Sequence, residues 1–158
     1  MDSLRAADPE GYIHETHIIK GKGHWMDQQD SAAIDWMAQY RRNPYPKKVI
    51  WRQEKVTRPA FYWLSAPQNE MKRGMRVDVE RNQNEINILR CDYSSLTIYL
   101  HDMMVNLDKP VIIRYKNKVI FNRKVNRNIK TLYETLNARD DFRYMFPAEV
   151  TVDLNKYK

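Results

Sequence analysis

At 158 residues and 42% hydrophobic content, the chain has apolar material for one ordinary domain, or for a small domain with an attached fragment. Four Gly and seven Pro exclude collagen-like repeats and a linker-rich disordered protein, and a single cysteine excludes an internal disulfide framework or a cysteine-rich zinc site. The net charge of +7 is uneven: residues 1–40 carry three Lys/Arg against seven Asp/Glu, and residues 41–158 carry twenty-four against thirteen, so the halves stand at −4 and +11.

The opening Met1-Asp2-Ser3-Leu4-Arg5 lacks the basic and apolar regions of a signal peptide, and no apolar run approaches the roughly 20 residues that cross a bilayer. The expectation is a soluble, cytoplasmic chain unless a longer precursor carries a leader. Residues 2–8 read as the tail of a helix that Pro9 and Gly11 end. The run His14 to Lys20, with Thr16, Ile18 and Ile19, suits a buried strand. After a glycine-containing loop, Asp30 is placed to cap a helix reaching Tyr40. Ala33, Ile34, Met37 and Ala38 then share one apolar face, with Asp35 and Gln39 opposite. A helix, one strand and a second helix cannot enclose a core, so that face needs a cover.

The charge changes sign at Arg41-Arg42-Asn43-Pro44-Tyr45-Pro46-Lys47-Lys48, a basic stretch punctuated by proline. The boundary falls there: residues 1–42 form one part, 43–47 a connector, and 48–154 a second domain. Beyond it the hydrophobic period becomes two. Val49 and Trp51 alternate with Ile50 and Arg52, and Phe61-Tyr62-Trp63-Leu64 is a short aromatic run. Met75, Val77 and Val79 precede a turn at Asn82-Gln83-Asn84, after which Ile86 and Ile88 resume the alternation. Leu96, Ile98 and Leu100 follow, then Val111, Ile113 and Tyr115, which enter a hairpin turn at Lys116-Asn117-Lys118 where Asn accepts positive φ. Val119, Phe121 and Val125 come next, and Glu149-Val150-Thr151-Val152-Asp153 ends the series. Short strands at this spacing predict a mainly β fold, an antiparallel immunoglobulin-like β-sandwich. One helix interrupts it before the last strand, with Thr131 to Glu134 as a capping box and Ile129, Leu132 and Leu136 as its apolar stripe. Cys91 reads as a small buried strand residue.

The segment Gly21-Lys22-Gly23-His24-Trp25-Met26 lies between the strand-like and helix-like stretches. With the acidic helix containing Ala33-Ile34-Asp35-Trp36-Met37 and the following Arg42-Asn43-Pro44-Tyr45-Pro46, it resembles the C-terminal part of α/β-hydrolase-fold proteins of the dienelactone-hydrolase and carboxylesterase-like group that carry an appended β-sandwich. The hydrolase-like stretch covers residues 11–42, a helix–strand–helix remnant. The resemblance implies that His24 is the catalytic histidine, on the loop after the last core strand and before the final helix. The family's nucleophile motif, Gly-x-Ser-x-Gly, is absent, because none of Ser3, Ser31, Ser65, Ser94 and Ser95 has the flanking glycines. No acid member is positioned between a nucleophile and His24 either. A triad works as a unit, so His24 alone has no general-base role.

The sequence therefore points first to a non-catalytic association module derived from the end of a serine hydrolase. The alternatives are a detached portion of a serine esterase or peptidase and a basic nucleic-acid-binding domain. No cofactor or metal is expected: His14 and His17, three apart on a strand, would face opposite ways. The basic run Arg114, Lys116, Lys118, Arg123, Lys124, Arg127 and Lys130, with Tyr115 and Phe121 between, could meet phosphates. Its aromatics fit the core alternation better. Trp51, Tyr62 and Trp63 could form a glycan or partner platform, but strand aromatics of a sandwich more often pack inside. The partner reading is a homodimer through residues 11–42, or covering of that segment by a separate hydrolase body.

Overall fold

The computed structural model describes residues 2–7, 9, 13–54 and 58–157. The chain divides into two compact units, Met1–Arg42 and Asn43–Lys158.

Unit 1 contains α1 (Asp2–Ala7), a single turn at Met26–Gln28 and α2 (Ala32–Ala38). The strand expected over His14 to Lys20 is not formed: residues 13–19 carry no regular structure. A strand needs a neighbour to take its backbone donors and acceptors, and the described residues of this unit supply none. His14 Nε2 instead lies 3.0 Å from Asp2 Oδ1, tying this stretch to α1. The second helix is shorter than expected. Asp30 does not cap it by its side chain; its carbonyl accepts from Ala33 N at 2.9 Å, and Ser31 occupies the cap position. The apolar face is uncovered, with Ile34 66% and Met37 57% exposed. Trp36 folds back on Tyr40, ring centroids 4.8 Å apart. Among the described residues of unit 1, none is buried.

Unit 2 is mainly β, with two sheets facing each other across one apolar core. The first sheet runs β1 (Lys48–Arg52), β4 (Arg76–Asn82), β5 (Glu85–Cys91), β7 (Val111–Tyr115), β8 (Lys118–Arg123) in spatial order. The second runs β2 (Ala60–Phe61), β3 (Leu64–Ser65), β6 (Ser95–Leu100), β9 (Ala148–Asp153). Alternation decides the inward face: Val77, Val79, Ile86, Ile88 and Ile113 of one sheet meet Leu64, Leu96, Ile98 and Leu100 of the other, all at most 1% exposed. Two hairpins form where the turns were read. Gln83 takes φ 51° between β4 and β5, while Lys116 and Asn117 take φ 48° and 67° between β7 and β8.

The sandwich is not wholly antiparallel, because β5 and β7 pair in parallel, Glu85 beside Ile112 through Ile88 beside Tyr115. The chain leaves the first sheet after β5, lays β6 in the second, and returns through residues 101–110 to run alongside β5 in the same direction. Asn84 fastens that return: its amide donates to Asn106 O at 2.8 Å and Pro110 O at 3.0 Å, and its oxygen accepts from Asn106 N at 2.8 Å. Arg127 holds the same loop through Asp102 and Asp108, at 2.5 and 2.9 Å.

Three boundaries differ from expectation. Residues 43–47 are bonded into unit 2 instead of forming a connector: the Tyr45 carbonyl accepts from Arg81 Nη2 at 2.6 Å, and that of Pro46 from Trp63 Nε1 at 3.1 Å. At the other end, the sandwich continues past residue 154 into a turn, Asn155–Tyr157, where Tyr157 packs on the core. Helix α3 (Ile129–Arg139) is capped by Asn128, whose side chain accepts from Lys130 N, and not by a Thr131–Glu134 box. Thr131 is already inside the first turn and buried, and Glu134 pairs with Lys130. The expected stripe is also displaced: Ile129 is 85% exposed, and the helix buries Thr131 and Thr135. Thr135 Oγ1 donates to Thr131 O at 2.9 Å and accepts from Phe146 N at 2.9 Å, fixing α3 to the chain that leads into β9.

Candidate functional site

The His24 loop is built by backbone geometry. Gly21 takes φ 70°, a conformation glycine adopts without a Cβ clash, and Lys22 Nζ reaches Asp27 Oδ2 at 2.5 Å across the turn. Met26, Asp27 and Gln28 all have positive φ, at 46°, 49° and 63°. Each costs of order 1 kcal/mol or more for a residue with a side chain, so the turn after His24 stores strain. His24 is exposed and meets the edge of Trp25, centroids 5.7 Å apart, and Trp25 is itself 86% exposed. Among the described residues, no ion pair joins His24 to a carboxylate.

Two serines of unit 2 are engaged by local hydrogen bonds. Ser65 Oγ donates to Pro59 O at 2.8 Å, and Ser94 is bonded through both its hydroxyl and its N–H to the Glu70 carboxylate. Ser3 and Ser31 lie in α1 and at the start of α2, and Ser95 opens β6.

The strand that would have turned His14 and His17 apart is absent, yet they bond to different carboxylates: His14 to Asp2 at 3.0 Å and His17 to Glu15 at 2.5 Å. Among the described residues, no group of three or more His, Cys, Asp and Glu is placed to hold a metal ion. No helix among them is long and apolar enough to cross a membrane.

The basic run of unit 2 is partly neutralised. Arg114 meets Glu85 at 3.0 Å, Arg127 bridges two aspartates, and Lys130 reaches Glu134 at 3.8 Å. Tyr115 is buried, and Phe121 is half-buried against the core. Trp51 and Trp63 are likewise interior, at 6% and 0% exposure, with Tyr62 half-buried beside them. Cys91 is buried at the end of β5, its sulfur 3.8 Å from Tyr93 O.

A constellation that the sequence reading missed lies between α3 and the outer face of the second sheet. It is a cleft of about 200 Å³, lined by Tyr99, Glu149, Glu134, Thr131 and Arg139 among others. Tyr99 and Glu149 are register partners on β6 and β9, pointing away from the core because Ile98, Leu100 and Val150 point into it. Tyr99 stacks its ring on Phe146, centroids 5.5 Å apart. Its phenol pKa is raised, first by burial and then by Glu149, against lowering by a Ser65 hydrogen bond and Arg139. Arg139 is half-buried, with its guanidinium 4.7 Å over the Tyr144 ring, and burial lowers its pKa. These residues come from three elements: β6 is separated from α3 by the β7–β8 hairpin, and α3 from β9 by residues 140–147. Only their outward places in the alternation, and an Arg in a last helical turn, hinted at them.

Compared with family models, curated proteins and solved structures, the chain matches none.

Proposed function

We propose that the chain acts as a non-catalytic association module derived from the C-terminal end of a serine hydrolase, with an immunoglobulin-like sandwich carrying a docking segment at residues 11–42. The observation behind this reading is the uncovered apolar surface of that segment: Ile18 is 82%, Ile34 66% and Met37 57% exposed. Apolar surface of this kind drives association. Residues 13–19 lie in no sheet, and pairing of this segment with a neighbour is the second contact expected. A second copy supplies both needs around a two-fold axis, and a separate hydrolase body is the rival cover. Light scattering coupled to size exclusion is expected to show a dimer that Ile34→Asp dissociates while the circular dichroism of the sandwich is unchanged. A monomer indifferent to Ile34→Asp would remove the homodimer.

The second reading is a detached portion of a serine esterase or peptidase, with His24 as its base. The strained turn directly after His24 favours it, since strain of this kind collects at functional sites. The missing serine and acid mean that the chain alone is expected to turn over p-nitrophenyl acetate no faster than its His24→Ala variant. A fluorophosphonate adduct on the chain, or turnover lost with His24, would contradict this. Nucleic-acid binding is the weakest alternative, given the ion pairs that occupy part of the basic run.

A further inference from the structure

We propose that the cleft beneath α3 binds a small zwitterion, a molecule of the amino-acid or short-peptide class carrying a carboxylate and an ammonium group. The cleft lies wholly in unit 2 and depends on nothing in residues 11–42.

One end of the cleft carries a cation with no carboxylate in contact among the described residues. Arg139 is half-buried, is in no ion pair among the described residues, and holds Nη2 out of reach of solvent with no hydrogen-bond acceptor. The Tyr144 ring lies against the guanidinium but accepts no conventional hydrogen bond. A guanidinium partly withdrawn from water with no carboxylate in contact is unfavourable, and a ligand carboxylate at its accessible edge supplies that contact, which Asp141 gives only at a distance.

The other charges in the cleft are of opposite sign. Glu149 is exposed and in no ion pair among the described residues, and Glu134 shares Lys130 at 3.8 Å. Glu134 and Arg139 are five positions apart on α3, which separates them by about 7.5 Å along the helix axis. The phenol of Tyr99 lies under the influence of both signs, raised by Glu149 and lowered by Arg139. A simple anion would be repelled by the two carboxylates, and a simple cation by Arg139. A molecule with both charges meets both. The volume, ≈ 200 Å³, corresponds to about seven liquid waters, room for an amino acid or a dipeptide.

The test is a titration of the full chain, followed by ¹⁵N–¹H spectra, with L-alanine, L-alanyl-L-alanine, N-acetyl-alanyl-alanine and alanyl-alanine amide. Saturable shifts are expected at Tyr99, Glu149 and along α3 with one or both zwitterions, the tighter of the two assigning amino acid or peptide. Acetylation and amidation are each expected to weaken binding about ten-fold or more. Glu149→Gln is expected to erase the penalty of acetylation, and Arg139→Gln that of amidation. Equal binding of the free and capped dipeptides overturns the proposal, as does absence of shifts at millimolar concentration. Because Glu149 is exposed, Glu149→Gln keeps the test decisive should Arg139→Gln disturb folding; unchanged preferences in Glu149→Gln count against the site.

Discussion

Removal of residues 1–42 is expected to leave a cooperatively folded sandwich, whereas removal of residues 1–47 is expected to destabilise it by about 3–6 kcal/mol. The buried core lies between Val49 and Leu154, so the first cut takes no side chain from it. The five residues of difference, however, satisfy three donors of the sandwich. Tyr45 O accepts from Arg81 Nη2 at 2.6 Å, Pro46 O from Trp63 Nε1 at 3.1 Å, and Lys47 O from Arg81 N at 2.7 Å. Burial already lowers the Arg81 pKa, and Arg81 Nη1 has a carbonyl, Met104 O, as its partner at 3.0 Å. Losing one acceptor therefore leaves this cation poorly solvated. The Tyr45 ring is lost too, stacked on His101 with centroids 4.9 Å apart and edge-on to Phe146 at 6.0 Å. A donor orphaned in the interior costs about 1–3 kcal/mol, and water entering the vacated edge recovers part of the sum. Thermal unfolding of 43–158 and 48–158 should differ by about 10 °C or more. Equal midpoints would mean that residues 43–47 are a connector after all.

That contrast also marks what the sequence could and could not convey. Alternation at Val77/Val79 and at Leu96/Ile98/Leu100 announces strands because a half-buried sheet forces a period of two, and the same positions are fully buried. Asn117 takes the positive φ its residue type favours, whereas Gln83 and Lys116 adopt it without such a signal in the sequence. Alternation says nothing about which strand lies alongside or in which direction, so the parallel β5–β7 pair was invisible. Residues 13–19 have strand-like composition, but a strand is a property of a pair, and no partner is present among the described residues of unit 1. The Thr131–Glu134 spacing fits a capping box only if Thr131 stands outside the helix. Asn128, extended at φ −136°, takes that place three residues earlier. As for the sites, the glycines around His24 marked a loop. The cleft beneath α3 is assembled by tertiary packing from β6, β9 and α3, and no local pattern encodes that meeting.

Trp63 is the second position where a large effect is expected. It follows Tyr62, at φ 53° in the tight turn between β2 and β3, and its side chain is wholly buried. Its carbonyl accepts from Tyr99 N at 2.9 Å, holding the short hairpin to β6. Trp63→Ala removes a bicyclic ring from a closed interior and should cost about 3–5 kcal/mol in urea unfolding, a large share of a typical domain's stability. Trp63→Phe keeps part of the apolar contact but loses the Nε1–Pro46 bond. Its cost combines a smaller cavity with an unsatisfied Pro46 carbonyl. The two contributions separate in the shorter fragment. In 48–158 the Pro46 acceptor is already gone, so Trp63→Phe there forfeits only packing and should cost about 1 kcal/mol less than in 43–158. Equal costs in the two backgrounds would show that Pro46 O is not the partner of the indole. A smaller cost in the shorter fragment would show that residues 43–47 and the β2–β3 hairpin stabilise each other through that one bond.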